Sequence, residues 1–371
     1  MYIIKNAGNT SLQKNGWRQY SLRMGKDGRN LENNYLYTEI NQLKAENKEL
    51  REILQELLKQ MQRNIDLYEE VTNELTTCKR VEANLYNAVR NMPYEILDVR
   101  AKDRYKMPKI MTWEETIDEI ILNGKSICRF GDGEFGIISG VSRWRFQKND
   151  KNLAKRLKEV LTSDDENILI GLNDFYGDLS HRTEADAIGI RGYITPEVRF
   201  QHMELLRMDK VYANAVISRN GTWERVRNQK RIWDNKDCVF IEGRQTRMGV
   251  GNDLFDNVKS IQRILCPSES AFDNYETILE EALKLPNNKT ILIALGPTAS
   301  VLAYDLAKAG YHAIDIGHVD LSYEWFRRTG SSQKAEVNYK YNNEYENGYI
   351  VEEIHDEVYE SQIIADLSNF A

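Results

Sequence analysis

The chain has 371 residues, 41% of them hydrophobic and 29% charged, with a net charge of −7. That length predicts two units, or one large unit with an appendage, and the acidic balance argues against a dedicated nucleic-acid binder. No run approaches eighteen apolar residues, the start MYIIKNAGNT lacks an apolar signal segment, and four scattered cysteines form no CxxC pair; these features exclude a membrane-spanning helix and predict a cytoplasmic protein with reduced thiols.

Residues 1–34 carry six Lys/Arg against two Asp/Glu and four glycines, which predicts a basic flexible arm. Contact with an anionic membrane face or a partner is the second reading of that arm. From 35 to 92 the pattern predicts a coiled-coil helix, since no Gly or Pro interrupts Leu36–Met92. One seam set is Ile40, Asn47, Leu54, Met61, Tyr68, Leu75, Glu82 and Val89; the other is Leu36, Leu43, Leu50, Leu57, Asn64, Val71, Cys78 and Leu85. Thirteen of these sixteen positions are apolar or Tyr.

Glu39, Glu46 and Glu74 stand five residues before Lys44, Arg51 and Lys79, the g-to-e spacing of parallel coils. With leucines in the d set and Asn47 in the a set, self-association through 36–89 as a parallel dimer is expected, along a rod of roughly 80 Å at about 1.5 Å per residue. A single amphipathic helix lying along its own globular domain is the alternative. Ile53, Leu58, Ile65 and Leu67 widen the stripe and leave trimers or a packed bundle open. Pro93 is expected to end the helix, leaving 93–108 as a charged connector before a globular part at 109–371.

Within that part Thr112 and Glu115 form a capping pair ahead of TWEETIDEIILNGK. The runs SICRF, NILIGL, KVYANAVIS, DCVFIEG, IQRILCP, KTILIALG and HAIDIG predict buried strands, and KNLAKRLKEVL, YETILEEALKL and SVLAYDLAKAG predict intervening helices. Strands without alternation, separated by helices, predict an α/β fold with a mainly parallel sheet covered on both faces. Sites in such sheets lie at the carboxyl ends of the strands.

At those ends stand several candidates. Asp132 and Glu134 flank Gly133 after the first strand, and an extended loop there turns both carboxylates toward one point, a donor set suited to Mg2+ or Mn2+. His318 follows the last run as a nitrogen ligand or an acid/base, and its convergence with the acids would complete a cation site. Gly296, Thr298 and Ser300 surround a strand-to-helix turn with Pro297 at the first helical position, suited to an anion. Arg244, Arg247, Asn252 and Asp253 follow DCVFIEG, which itself contains Glu242; Arg219 and Asn173-Asp174 end two other runs. The P-loop, GxSxG, HExxH and EF-hand patterns do not occur.

In this order, SICRFGDGEF, NAVISR, IWDNKDCVFIEG, GVGNDLFDNVKSIQRILCPSESAF, ILIALGPTASVLAYDLAKAGYHAIDIGHVDLSYEWF and YESQII resemble the bacterial GT-D-type glycosyltransferases, first described as a domain of unknown function. The resemblance spans roughly 105–365. It implies a Rossmann-like nucleotide-sugar domain that transfers a hexose from a UDP-sugar, glucose-like, to a glycan or glycoprotein, with Mn2+ or Mg2+ at a DXE motif, here Asp132-Gly133-Glu134. On that basis Asp132, Glu134 and His318 are expected to organise the metal. Arg129, Gly131, Arg219, Arg247, Asn252, Gly296, Thr298 and Ser300 are expected around the donor, and Asp320, Glu242 or Asp253 as the base. A coiled-coil scaffold that has lost catalysis is the alternative of another class; a nicotinamide enzyme is disfavoured because GxGxxG is missing.

Overall fold

The computed structural model describes residues 26–100, 108–140, 146–173, 190, 196–345 and 347–368. The expected basic arm up to residue 25, most of the connector after Arg100, and Asp174 lie outside them. The chain divides into two compact units, Met1–Ala83 and Asn84–Ala371.

The first unit is built on helix α1, Lys26–Arg100, which continues into the second. Its bounds correct both expected ends. Helix begins inside the expected arm, because Gly28 costs only about 1 kcal/mol relative to Ala and elongation is cheap once a helix exists. It also passes Pro93: the ring removes one ladder bond and crowds one carbonyl, which weakens a helix without obliging it to stop when complete turns flank it. The seam side chains described from Leu36 to Val89 are exposed, among them Leu50 at 64% and Tyr68 at 79%.

Among the described residues the second unit holds nine strands in the order β1-β4-β3-β2-β8-β7-β5-β6-β9, every pair parallel. The strands are β1 (Lys109–Ile110), β2 (Ser126–Phe130), β3 (Ile168–Leu172), β4 (Val211–Asn214), β5 (Asp237–Gly243), β6 (Ser260–Cys266), β7 (Thr290–Ala294), β8 (His312–Asp315) and β9 (Ile363–Asp366). Helices α2 (Trp113–Leu122), α3 (Asp132–Ile138), α4 (Lys151–Leu161), α5 (Pro196–Leu205), α6 (Trp223–Lys230), α7 (Tyr275–Ala282), α8 (Pro297–Lys308), α9 (Val319–Thr329) and α10 (Glu357–Ser361) join them.

Alternate side chains feed two cores, which is why the strand sequences are apolar throughout. Phe130, Ile170, Ile241 and Ile293 pack with Leu157 of α4 and Val301 of α8. Ile127, Leu169, Phe240 and Leu292 pack on the opposite face with Ile117 of α2 and Tyr323 of α9. One expected strand is cut short: after β4, Ala215–Ser218 forms a 3-10 turn because the Asn214 side chain accepts from Val216 N at 2.9 Å. Strand order reverses between β2 and β8, whose registers meet at Ile127 and Ile314. The turns that leave these two strands therefore border one crevice. Among the described residues no helix is long and apolar enough to cross a membrane.

Candidate active site

The crevice is braced by its own strands. Arg129 at the end of β2 donates from Nε to the Asp315 carbonyl at 2.8 Å and from Nη2 to Asp315 Oδ1 at 2.9 Å, and Nη1 reaches Ser218 Oγ at 2.7 Å and the Ala215 carbonyl at 3.1 Å. Asp315 is buried at the end of β8 and also accepts from Gly317 N at 3.1 Å. Gly317 has φ +45, and a Cβ there would overlap Nη2 of Arg129. Arg129 thus ties β2, β8 and the 3-10 turn together, and four of its five side-chain N–H donors are committed to protein acceptors.

Asp132 and Glu134 begin helix α3 instead of occupying an extended loop. Gly131 is the N-cap, and Glu134 Oε2 accepts from Gly131 N at 2.7 Å. Two residues on, side chains point roughly 200° apart around a helix axis, so these two carboxylates do not converge through the chain's own curvature. Asp132 is exposed and has no partner among the described residues. Glu134 is half-buried; burial first, and then the charge of Asp315, push its carboxyl up to about 7. A Cβ built on Gly133 lies 3.8 Å from Pro297 Cγ, which sets the start of α3 against the start of α8.

The α8 start is made from the chain's own packing. Gly296 has φ +55, and a Cβ would collide with the Phe146 ring. Thr298 and Ser300 are fully buried; Thr298 Oγ1 donates to Gln147 Oε1 at 3.2 Å and Ser300 Oγ to the Arg129 carbonyl at 2.6 Å. Both hydroxyls point into the fold, a correction to their expected place at a bound anion. What the turn can offer a ligand is its backbone amides.

A second group stands at the start of α9. His318 Nδ1 lies 2.9 Å from Glu344 Oε1, the same oxygen receives Arg219 Nη2 at 2.6 Å, and Lys334 Nζ lies 2.9 Å from Glu344 Oε2. Burial opposes the charge on Glu344, yet the His318 bond and the Arg219 guanidinium hold its carboxyl well below the usual carboxylate range. Arg219 also faces the Trp325 ring at 5.9 Å. Glu344 and Lys334 were not singled out from sequence, because they sit in polar segments with no periodicity, far from any strand end.

The other expected residues have structural partners. Asp320 is buried, pairs with Lys340, and accepts from Gly249 N at 2.9 Å and Asn252 Nδ2 at 2.8 Å. Asn252 spends its second amide hydrogen on Glu324 at 2.8 Å. Glu242 is buried against Arg263 and accepts from Met248 N at 2.7 Å; burial pushes its carboxyl up while Arg263 draws it down. Arg247 is buried and donates to the carbonyls of Tyr339 at 2.9 Å and Glu352 at 2.6 Å. Arg244 bonds Asp366 at 3.1 Å near the sheet edge. Asp253 is exposed, and the Tyr323 hydroxyl, 2.8 Å away, lowers its pKa.

Among the described residues no three His, Cys, Asp or Glu side chains gather to hold a metal ion. The expected three-ligand set is therefore not assembled: His318 is turned to Glu344. Asp132 and Glu134 supply hard oxygen donors at the α3 start, of the type that a cation keeping several waters takes, one on each side of the helix axis.

Residues 127–345 match the Glycosyltransferase GT-D fold family. The probable glycosyl transferase Gly of Streptococcus gordonii is 33% identical over 282 residues, covering 72% of this chain and 40% of that protein. Glycosyltransferase GlyD of Streptococcus pneumoniae serotype 4 is 34% identical over 265 residues, covering 69% and 32%. The chain thus spans less than half the length of these curated relatives. A solved glycosyltransferase from Streptococcus sanguinis, of the domain of unknown function 1792, superposes with a TM-score of 0.65 at 34% identity, over 70% of this chain and 100% of that one. A second solved domain of unknown function 1792, described as having a distinct glycosyltransferase fold, gives 0.65 at 33% identity, over 70% and 96%. With its nine parallel strands and a family match over most of the second unit, this chain belongs to the Glycosyltransferase GT-D fold family.

Proposed function

We propose that the chain is a glycosyltransferase that moves a hexose from a UDP-sugar, glucose-like, to a glycan or glycoprotein acceptor, uses Mn2+ or Mg2+, and self-associates through residues 36–89. The observation that carries the sugar-transfer reading is the exposed, unpartnered Asp132 at the strand-order reversal, set beside the α8 start in a chain of this family. A divalent cation held by Asp132 and Glu134 would neutralise charge on the departing diphosphate.

The chain's own groups divide the remaining work. Amides at the starts of α3 and α8 are positive dipole ends that favour a phosphate. Arg219 commits only Nη2 to Glu344 among the described residues and keeps donors for the diphosphate. The acceptor hydroxyl must lose a proton as it attacks the anomeric carbon. Of the carboxylates expected for that step, Asp320 and Glu242 hold buried ion pairs, and Asp253 has a lowered pKa that makes it a poor proton acceptor. We therefore assign the base to His318: with Nδ1–H given to Glu344, Nε2 carries the lone pair. Glu344 orients the ring.

The reading is tested by incubating the full chain with Mn2+ and a panel of UDP-sugars and measuring UDP release. Release from one UDP-hexose, lost in Asp132→Asn, supports it. Tight NAD binding with no UDP-sugar turnover would replace it.

A further inference from the structure

We infer that residues 36–82 of α1 pair with the same residues of a second copy of this chain, parallel and in register, so that Cys78 faces Cys78. The inference rests on the self-association proposed above and is independent of sugar transfer. Among the described residues the seam leucines Leu43, Leu54, Leu57 and Leu75 each keep 52–57% of their surface in water. Covering them takes apolar surface out of water, and a stripe with apolar residues, Tyr or Cys at eleven of its fourteen heptad positions calls for an apolar partner.

Charge and spacing identify the partner as the same segment. Ion pairs within the helix, Lys48–Glu52 and Lys59–Glu56, use outer b, c and f positions. The g residues Glu39, Glu46 and Glu74 have their opposite charges five positions on, at e, beyond the three- and four-residue reach of a helix's own surface. A parallel, in-register copy brings these g and e positions together. The same g-to-e step joins Ile53 to Leu58, where the stripe is widest, and from 39 to 79 no g-to-e pair joins like charges. Mid-seam apolar residues that leave higher assemblies open on composition alone thus find partners in a two-stranded pair.

Asn47 at an a position fixes the register further. In the single chain its amide donates to the Leu43 carbonyl at 3.1 Å, and in the seam two such amides hydrogen-bond each other at one alignment. Cys78 occupies a d position and is the exposed cysteine; Cys128, Cys238 and Cys266 are buried. In register, the two Cys78 side chains meet across the seam. A slip of one heptad separates them by about 10 Å, beyond the Cα spacing that a disulfide spans.

The test is mass by light scattering, together with oxidation of the native full chain by a dipyridyl disulfide. Two thiols lose two protons and two electrons to form one S–S bond, and the reagent is reduced to two thiopyridones. The expected result is a two-chain mass and conversion of most of the protein to a covalent dimer. That band is absent in Cys78→Ser and restored by adding Leu57→Cys, another d position, to Cys78→Ser. Glu46→Lys is expected to weaken pairing at least tenfold, and Arg51→Glu added to it to restore pairing. A two-chain mass without the covalent band overturns the parallel register while self-association stands. A three-chain mass overturns the pair, and a one-chain mass overturns both.

Discussion

His318 gives one ring nitrogen to Glu344 at 2.9 Å, and Glu344 is at the same time the shared anion of Arg219 and Lys334. One carboxylate thus sets the direction of an imidazole and two cations at the mouth of the crevice. Replacing Glu344 by Gln keeps its shape and removes its charge. The expected result is a fall in kcat of about tenfold to a hundredfold, as for loss of a positioned proton acceptor, with KM changed much less. The unfolding midpoint should move by less than about 1 kcal/mol, because Arg219 and Lys334 reach solvent. A normal kcat with a shifted midpoint would make Glu344 merely structural.

The Arg129–Asp315 brace makes a stability prediction. Asp315 is buried, and Arg129→Met leaves its charge without a partner, a loss of about 3 kcal/mol in chemical denaturation. Gly317→Ala attacks the same brace from the other side, since the added carbon displaces the guanidinium from a residue whose φ already disfavours a side chain. Both should lower the urea midpoint in the same direction; an unchanged midpoint in either would remove the brace from the account.

His202 supplies a pH dependence. It is buried and stacked on Phe135 with ring centroids 3.7 Å apart, and burial brings its pKa down to about 4. The unfolded chain takes up this proton near pH 6.5, the folded chain only near 4. Its contribution to stability is therefore full above about 6.5 and is lost as pH falls toward 4, at about 1.4 kcal/mol per pH unit. His202→Phe should remove about 2 kcal/mol of the stability difference between pH 7 and pH 5. An identical pH slope in the variant would contradict this.

Much of the architecture was written in local pattern. The run SICRF coincides with β2, DCVFIEG with β5 and KNLAKRLKEVL with α4, because strands buried on both faces and an amphipathic helix leave unmistakable spacing. The capping pair Thr112–Glu115 closes as read, with both reciprocal bonds present. Edge strands β1 and β9 were missed; two and four residues are too few for a period to show. The site was less legible. Sequence marks His318, Asp320 and Glu242 as residues at or after strand ends but not their partners, which come from other segments of the chain. Lys340 neutralises Asp320, Arg263 neutralises Glu242, and Glu344 turns His318 away from a shared cation site. A carboxylate after a strand reads the same whether it awaits a ligand or already holds a buried lysine.

The most direct measurement compares UDP release from UDP-glucose and other UDP-hexoses, in the presence of Mn2+, by the full chain and by Asp132→Asn. Asp132 is exposed and unpartnered among the described residues, so the variant should keep the unfolding midpoint of the parent within about 0.5 kcal/mol. The account predicts release by the parent from one UDP-hexose and a loss of at least about a hundredfold in the variant. Equal release by both proteins, or none by the parent from any UDP-hexose, would contradict it.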